Sequence, residues 1–309
     1  MVKRLQYDRY GGPETMYVGD ATLPPVGKKK IRVRVKASSI NEIDWRIRQG
    51  YLKIITGRKF PRGMGMEFSG VVAEAGSGQP FEVGDEVFGG LPIKIQGGFG
   101  EELVTNANIV AKKPETVSFE AAATLSVVGG TAWQALVKYG TLQKGDNLFV
   151  NGAYGALGQS AVQIARALGA DRIVARVSRD DFDAVKAIGA NEAISYHDPI
   201  PPELEHSFDI VLDAHGGLAP KDQSFLVANG GRILDVNPDM KKRLLALKPN
   251  RKAVFGSLKT PVLDKVMALA ANGELTISIG RRVNLGEAAK AIAELERGDR
   301  VKGKTIILP

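Results

Sequence analysis

Leu148-Phe149-Val150-Asn151-Gly152-Ala153-Tyr154-Gly155-Ala156-Leu157-Gly158 decides how this chain is read. An apolar run, Leu148 to Val150, enters a glycine turn. Beyond the turn Leu157, Ala161, Ile164, Ala165 and Leu168 recur at helical spacing and share one face. The order is strand, turn, helix. A dinucleotide needs this order, because pyrophosphate must reach backbone N–H groups at a helix N-terminus, where the dipole favours negative charge. A side chain at Gly155 would block that approach, and Gly158 lets the helix pack closely on the strand. Ala153 replaces the first glycine of the G-x-G-x-x-G fingerprint. The candidate phosphate turn is therefore Gly152, Ala153, Tyr154, Gly155, Ala156, Leu157 and Gly158.

The next strand chooses the nucleotide. An NAD site wants Asp or Glu about 20 residues on, to accept the ribose hydroxyls. Here the second strand ends Arg176-Val177-Ser178-Arg179. Arg176, Ser178 and Arg179 suit a 2′-phosphate instead, so NADPH is the expected cofactor. The alternative is that both arginines are simply solvated. Tyr196, at the end of the following strand, is placed to flank an adenosine. Asp180 and Asp181 come one or two positions late, where they cap the next helix.

Around this core the chain alternates. Strands are expected at Ile173 to Val177, Ala193 to Tyr196, Phe208 to Asp213, Gly231 to Val236 and Ala253 to Gly256. Helices are expected at Ala156 to Leu168, Phe182 to Ile188 and Pro261 to Ala271. Such alternation predicts a parallel sheet with helices on both faces. The residues before 120 differ. Ile31, Val33 and Val35 alternate with Arg32, Arg34 and Lys36, the period of a half-buried antiparallel strand. Further short strands at Val71 to Ala75, Val83 to Phe88 and Glu102 to Thr105, punctuated by glycines, suggest a small barrel or curled sheet. Ser118 is a plausible N-cap of a helix toward Lys138, which Gly129 and Gly130 divide in two. Strand, helix and strand follow at Ile277 to Val283, Glu287 to Glu296 and Lys304 to Leu308, and the last strand is free to return to the first domain.

Composition narrows the chemistry. The 309 residues suit about two domains. The chain has no cysteine, which removes disulfides, thiol catalysis and cysteine zinc sites, and its only histidines are His197, His206 and His215. The net charge of +8 is spread in short clusters such as Lys28-Lys29-Lys30 and Lys241-Lys242-Arg243, without interleaved aromatics, so nucleic-acid binding is not expected. No stretch reaches the roughly 18 apolar residues of a membrane span, and the first residues carry no signal-peptide core. A cytoplasmic protein without integral membrane contact is the expectation.

Several further passages carry a resemblance: Asn41-Glu42-Ile43-Asp44-Trp45, Phe81-Glu82-Val83-Gly84-Asp85-Glu86-Val87-Phe88-Gly89, Gly98-Phe99-Gly100-Glu101-Glu102, Ser118-Phe119-Glu120-Ala121-Ala122, Gly130-Thr131-Ala132-Trp133 and Gly303-Lys304-Thr305-Ile306-Ile307. Together with the glycine turn they make the chain resemble the zinc-free quinone oxidoreductase branch of the medium-chain dehydrogenase/reductases. It is most similar there to the chloroplast-envelope type and its bacterial relatives.

The resemblance implies an α/β protein. A GroES-like β-barrel domain over 1–120 would be completed by 274–309, with a Rossmann doubly wound parallel sheet over 121–273 and substrate between the two. Zinc-dependent members carry an early Cys and a Gly-His-Glu segment. Here Asn41 stands near the first position, and Gly65-Met66-Glu67 replaces the second. No metal is expected.

By the same resemblance, hydride passes from NADPH to a quinone or an α,β-unsaturated carbonyl, and the developing oxyanion needs hydrogen-bond donors. Asn41 is the first candidate. Arg46 either stabilises an oxyanion or points to solvent, and Tyr51 or water supplies a proton. Thr131, Ala214, His215, Val236 and Asn237 are candidate cofactor contacts. Lys304 either reaches the cleft or only ends a strand. A homodimer through the Ala253 to Gly256 edge is expected. Two readings stay open beside quinone reduction: a dedicated alkenal or enone reductase, and a non-catalytic NADPH sensor.

Overall fold

The computed structural model describes residues 1–236, 240–256 and 258–309, the side chains at 240, 241 and 243 excepted. The chain forms two compact units. The first comprises Met1–Val127, Leu258–Ala271 and Ile277–Pro309, and the second Val128–Ser257 and Asn272–Thr276.

The first unit opens with β1 (Val2–Tyr7), β2 (Met16–Ala21), β3 (Lys30–Ser39), β4 (Arg62–Gly63), β5 (Glu67–Ala75), β6 (Glu86–Gly90), β7 (Glu102–Asn106) and β8 (Val110–Lys112). The period of two in β3 is realised. Ile31, Val33 and Val35 are buried while Arg34 and Lys36 are exposed. Beyond Ala37 the strand is buried on both faces, because Ala123, Ile306, Phe119 and Leu308 cover it. One edge of β3 pairs with β5. Its other edge pairs with β7 over Lys30 to Arg34 and then, at Ser38 and Ser39, with the last strand of the chain. Register shifts at Arg32/Val33 and Val35/Ala37 bend β3 and let it serve three neighbours. The sixth strand begins at Glu86 and not at Val83, because Phe81 to Asp85 form a turn in which the Asp85 carboxylate accepts the Glu82 N–H at 2.9 Å.

The second unit carries β9 (Asn147–Asn151), β10 (Arg172–Val177), β11 (Glu192–Ser195), β12 (Phe208–Asp213), β13 (Val227–Asp235) and β14 (Arg251–Ala253). All pair in parallel, in the order β11-β10-β9-β12-β13-β14. That is the doubly wound order with its switch point between β9 and β12. Right-handed crossovers leaving β9 in both directions place helices on both faces. Phe149, Val174, Phe208, Val211 and Ile233 fill one layer of this core. The last strand was expected at Ala253 to Gly256. It lies earlier, over Arg251–Ala253. Val254 adds one bond to Asp235, and Phe255 and Gly256 lie beyond the strand.

The helix after Ser118 is divided, but not at Gly129-Gly130. Ser118 caps Phe119–Ala123 by accepting the Ala121 N–H, and the break comes at Thr124, whose hydroxyl turns back to the Ala121 carbonyl. Ser126–Trp133 then runs through both glycines, whose cost of ~1 kcal/mol each is outweighed by burial of this helix. Helix Thr260–Ala271 belongs to the first unit, tied by the Thr260 hydroxyl to the Ala107 and Val110 carbonyls. Finally β15 (Ile279–Asn284) pairs in parallel with β16 (Lys304–Leu308), which returns to β3. Ile307, Val283, Ala291 and Ile292 thereby share a core with Leu5, Tyr7 and Phe99.

Candidate functional site

The glycine turn sits at the C-terminal end of β9, ahead of helix Ala156–Ala167. Gly152 has φ +80° and its N–H donates to the Arg176 carbonyl at 3.0 Å. A Cβ on Gly158 would meet the Gly152 oxygen at 2.2 Å and the Ala153 backbone at 2.6 Å, so close helix–strand packing requires glycine there. Gly155 is different. A Cβ there would meet only the Gly152 oxygen, at an ordinary 3.5 Å. The fold does not need this glycine. No side chain caps that helix start, which leaves its N–H groups open to an anion. Ala153 is buried, and the Tyr154 carbonyl is held by Gln159 at 2.8 Å.

At the end of β10, Arg176 lies over the Tyr196 ring at 6.0 Å and donates to the Tyr196 carbonyl at 3.2 Å. Its Nε is buried without a hydrogen-bond partner. Partial burial pushes the Tyr196 phenol above its ordinary range, with Arg176 opposing. Arg179 is exposed and paired to Asp198 at 2.6 Å, while Ser178 precedes the short turn Arg179–Asp181. The structure thus brings Gly152, Arg176 and Tyr196 together and gives Arg179 a carboxylate partner that the sequence did not reveal.

The loop after β12 is built by Asp213. Its carboxylate is fully buried and accepts from Asn151 Nδ2 (2.8 Å), Gly216 N–H (2.8 Å), Leu218 N–H (3.0 Å) and Lys242 Nζ. Lys242 also meets Asp235 Oδ1 at 3.3 Å and the Gly216 carbonyl at 3.0 Å. Burial raises the Asp235 carboxyl above its usual range, with Gln223 and Lys242 opposing. Ala214 donates to the Asn151 carbonyl, and the His215 Cβ packs on Gly152, so this loop lies against the turn. Val236 donates to the Asp213 carbonyl. Thr131 is buried, its hydroxyl beside Gly256. Asn237 lies outside the described residues.

The first unit holds a second polar centre. Glu67, fully buried, accepts at Oε1 from the Ser39 hydroxyl, Asn41 Nδ2 (2.6 Å) and Lys304 Nζ (3.2 Å), and at Oε2 from the Val127 N–H (2.7 Å), with the Ser126 hydroxyl 3.1 Å away. Lys304 also donates to Asn41 Oδ1 (2.7 Å) and the Ile40 carbonyl (2.9 Å). Asn41 gives its second amide hydrogen to the Ser39 carbonyl at 3.3 Å. Asp44, also fully buried, accepts the Asn41 N–H at 2.8 Å, and burial, helped by Glu67, pushes its carboxyl up to about 7. Asn41 is therefore held on every side. Arg46 and Tyr51 lie together. The guanidinium sits 5.7 Å from the Tyr51 ring and pairs with Glu42 at 2.6 Å. Glu67 and Asp213 are the groups to which sequence reasoning assigned no role, while Lys304, left open between the cleft and a strand end, is buried against Asn41 and Glu67.

Two linked units of this kind, an antiparallel sheet closed by a C-terminal strand and a six-stranded parallel sheet, define an architecture shared by a large class of reductases. The alcohol dehydrogenase GroES-like domain model matches residues 27–144, and the zinc-binding dehydrogenase model matches residues 188–307. The chain is 27% identical to the chloroplastic quinone-oxidoreductase homolog of Spinacia oleracea, covering 100% of this chain and 99% of the relative. It is 30% identical to the mitochondrial NAD(P)H oxidoreductase of Mus musculus, covering 97% and 87%. Among solved structures, the quinone oxidoreductase from Coxiella burnetii superposes with a TM-score of 0.89 at 27% identity, covering 100% and 99%. The chain belongs to the medium-chain dehydrogenase/reductase superfamily, in its zinc-free quinone oxidoreductase branch.

The zinc named in the second model's description does not fit these residues. The chain has no cysteine, and no three His, Asp or Glu side chains gather among the described residues. Glu67 is already committed to Lys304 and four further donors.

Proposed function

We propose that this protein is a zinc-independent NADPH-dependent oxidoreductase acting on quinones or α,β-unsaturated carbonyls. The observation that carries the reading is the pairing of an open Gly155 with the orphaned Arg176 Nε. One offers backbone N–H groups to a pyrophosphate. The other offers an unspent cationic donor to a 2′-phosphate. When bound, NADPH supplies hydride from its nicotinamide ring to an electron-poor carbon.

The chain's own residues would hold it. Gly152 to Gly158 cradle the pyrophosphate, and Arg176 with Ser178 and Arg179 faces the 2′-phosphate once Arg179 exchanges Asp198 for it. Tyr196 flanks the adenosine, while Thr131, Ala214, His215 and Val236 line the remainder. On the acceptor side we assign Arg46 to the developing oxyanion and Tyr51 to its protonation. Asn41 joins them by giving up its longer bond, to the Ser39 carbonyl. The names of the relatives, a quinone-oxidoreductase homolog and an NAD(P)H oxidoreductase, support quinone-type acceptors and a nicotinamide cofactor. The outer edge of β14, unpaired among the described residues, supports a homodimer.

The test is a titration with NADPH and NADH, followed by absorbance loss with a simple quinone and a short enone. Tighter NADPH binding with turnover is expected, and the faster acceptor names the branch. Replacing Arg176 and Arg179 by Ala should weaken NADPH about tenfold or more while sparing NADH. Equal losses would remove the 2′-phosphate assignment. Tight binding without turnover on either acceptor would favour a sensor.

A further inference from the structure

Two neighbouring loops of the first unit expose aliphatic side chains. Ile54 is 94% exposed and Ile55 50%, in the segment between Gly50 and Arg62. Ile93 and Ile95 are exposed in the segment between Leu91 and Gly98. Single exposed aliphatics are ordinary, but four on adjoining loops are not. Arg62 fixes the loops side by side, donating to the Thr56 carbonyl at 2.7 Å and to the Lys94 carbonyl at 3.0 Å. The Tyr10 hydroxyl, 2.6 Å from the Thr56 hydroxyl, anchors the first loop from below. At 94% exposure Ile54 lines no pocket wall.

The charge that the two loops themselves carry is of one sign. Lys53, Arg58, Lys59 and Lys94 are all exposed. No acidic residue occurs between Asp44 and Glu67, or between Glu86 and Glu101. A second copy meeting this face through a two-fold axis would oppose basic rim to basic rim. The four aliphatic side chains give a nucleobase nothing flat to stack on, and the exposed Tyr51 ring already carries the Arg46 guanidinium. A bilayer with anionic headgroups satisfies both features at once. Aliphatics enter the acyl boundary while lysines and arginines meet the headgroups.

We propose that the loops at residues 50–62 and 91–98 form a docking surface for an anionic lipid bilayer. The attachment is peripheral. No helix among the described residues is long and apolar enough to cross a membrane. The inference stands independently of the cofactor assignment.

Vesicle flotation tests it with the full-length protein. Phosphatidylcholine vesicles with phosphatidylserine added should carry the protein up, pure phosphatidylcholine vesicles should not, and added salt should weaken the association. The Ile54→Asp/Ile55→Asp double variant and the Lys53→Glu/Lys59→Glu double variant should each lower the bound fraction about tenfold. Their melting temperatures should stay at the wild-type value, since all four side chains are exposed. Leu247→Asp, an exposed aliphatic of the second unit, should leave flotation unchanged. No flotation with phosphatidylserine would overturn the proposal, as would equal flotation of wild type and loop variants, or loss in Leu247→Asp. Self-association abolished by Ile54→Asp/Ile55→Asp without vesicle binding would assign the face to a second copy. Retention on an RNA homopolymer alone would assign it to nucleic acid.

Discussion

Each unit buries a lysine against carboxylates, and the two do so under different constraints. Lys304 in the first unit faces one carboxylate, one amide oxygen and one carbonyl. Lys242 in the second faces two carboxylates and one carbonyl. The first is a one-to-one pair, with Lys304 the only cation on Glu67 among the described residues. Both carboxylates also draw on neutral donors, Glu67 on Ser39, Asn41 and Val127, Asp213 on Asn151, Gly216 and Leu218, so what separates the clusters is that Lys242 serves two carboxylates at once. A buried charge depends on whatever else can hydrogen-bond to it, not on the ion pair alone.

The sharpest way to break the comparison is Lys304→Met. It leaves Glu67 buried with only neutral donors, and a loss of about 3–5 kcal/mol in urea unfolding of the first unit is expected. A loss under 1 kcal/mol would mean that Glu67 is held well enough by Ser39, Asn41 and Val127.

Asp44 gives the next largest effect, read as a pH slope. Its native carboxyl is raised from 3.8 to about 7, so between these values the folded state holds a proton that the unfolded state has released. Stability should therefore fall as pH rises through that window and level off above it, by about 4 kcal/mol in all. Asp44→Asn should flatten the slope, and an unchanged slope would assign the pH dependence to another group.

Lys242→Met should cost less, about 2 kcal/mol, because Asp235, already raised by burial, can take up a proton while three N–H donors still hold Asp213. Chemical denaturation followed by the second unit's signal checks it. A cost equal to that of Lys304→Met would erase the distinction between the two clusters.

How far the sequence carries the reading follows the same local-versus-distant division. The glycine turn is contiguous, so strand, turn and helix were all legible from residues 148–168. The alternation in β3 was equally local. Glu67 was not legible as a hub, because its partners come from residues 39, 41, 126, 127 and 304. Only folding brings these together. Gly129 and Gly130 misled for the opposite reason: local propensity pointed to a break that buried packing overrides, while the hydroxyl of Thr124 made the break elsewhere. Arg179 read as a phosphate ligand because its neighbours in sequence are visible and Asp198, nineteen residues on, is not.

The return of β16 to β3 also orders events during synthesis on the ribosome. The second unit's sheet is complete once residue 253 has emerged, and can condense from near neighbours. The first unit must wait with its early strands already outside, because β16 supplies both the missing edge of β3 and the lysine that neutralises Glu67. Until then a carboxylate destined for the interior stays in water, and the half-built sheet keeps an open flank. A chaperone that shields that flank would act on the nascent chain for most of its translation.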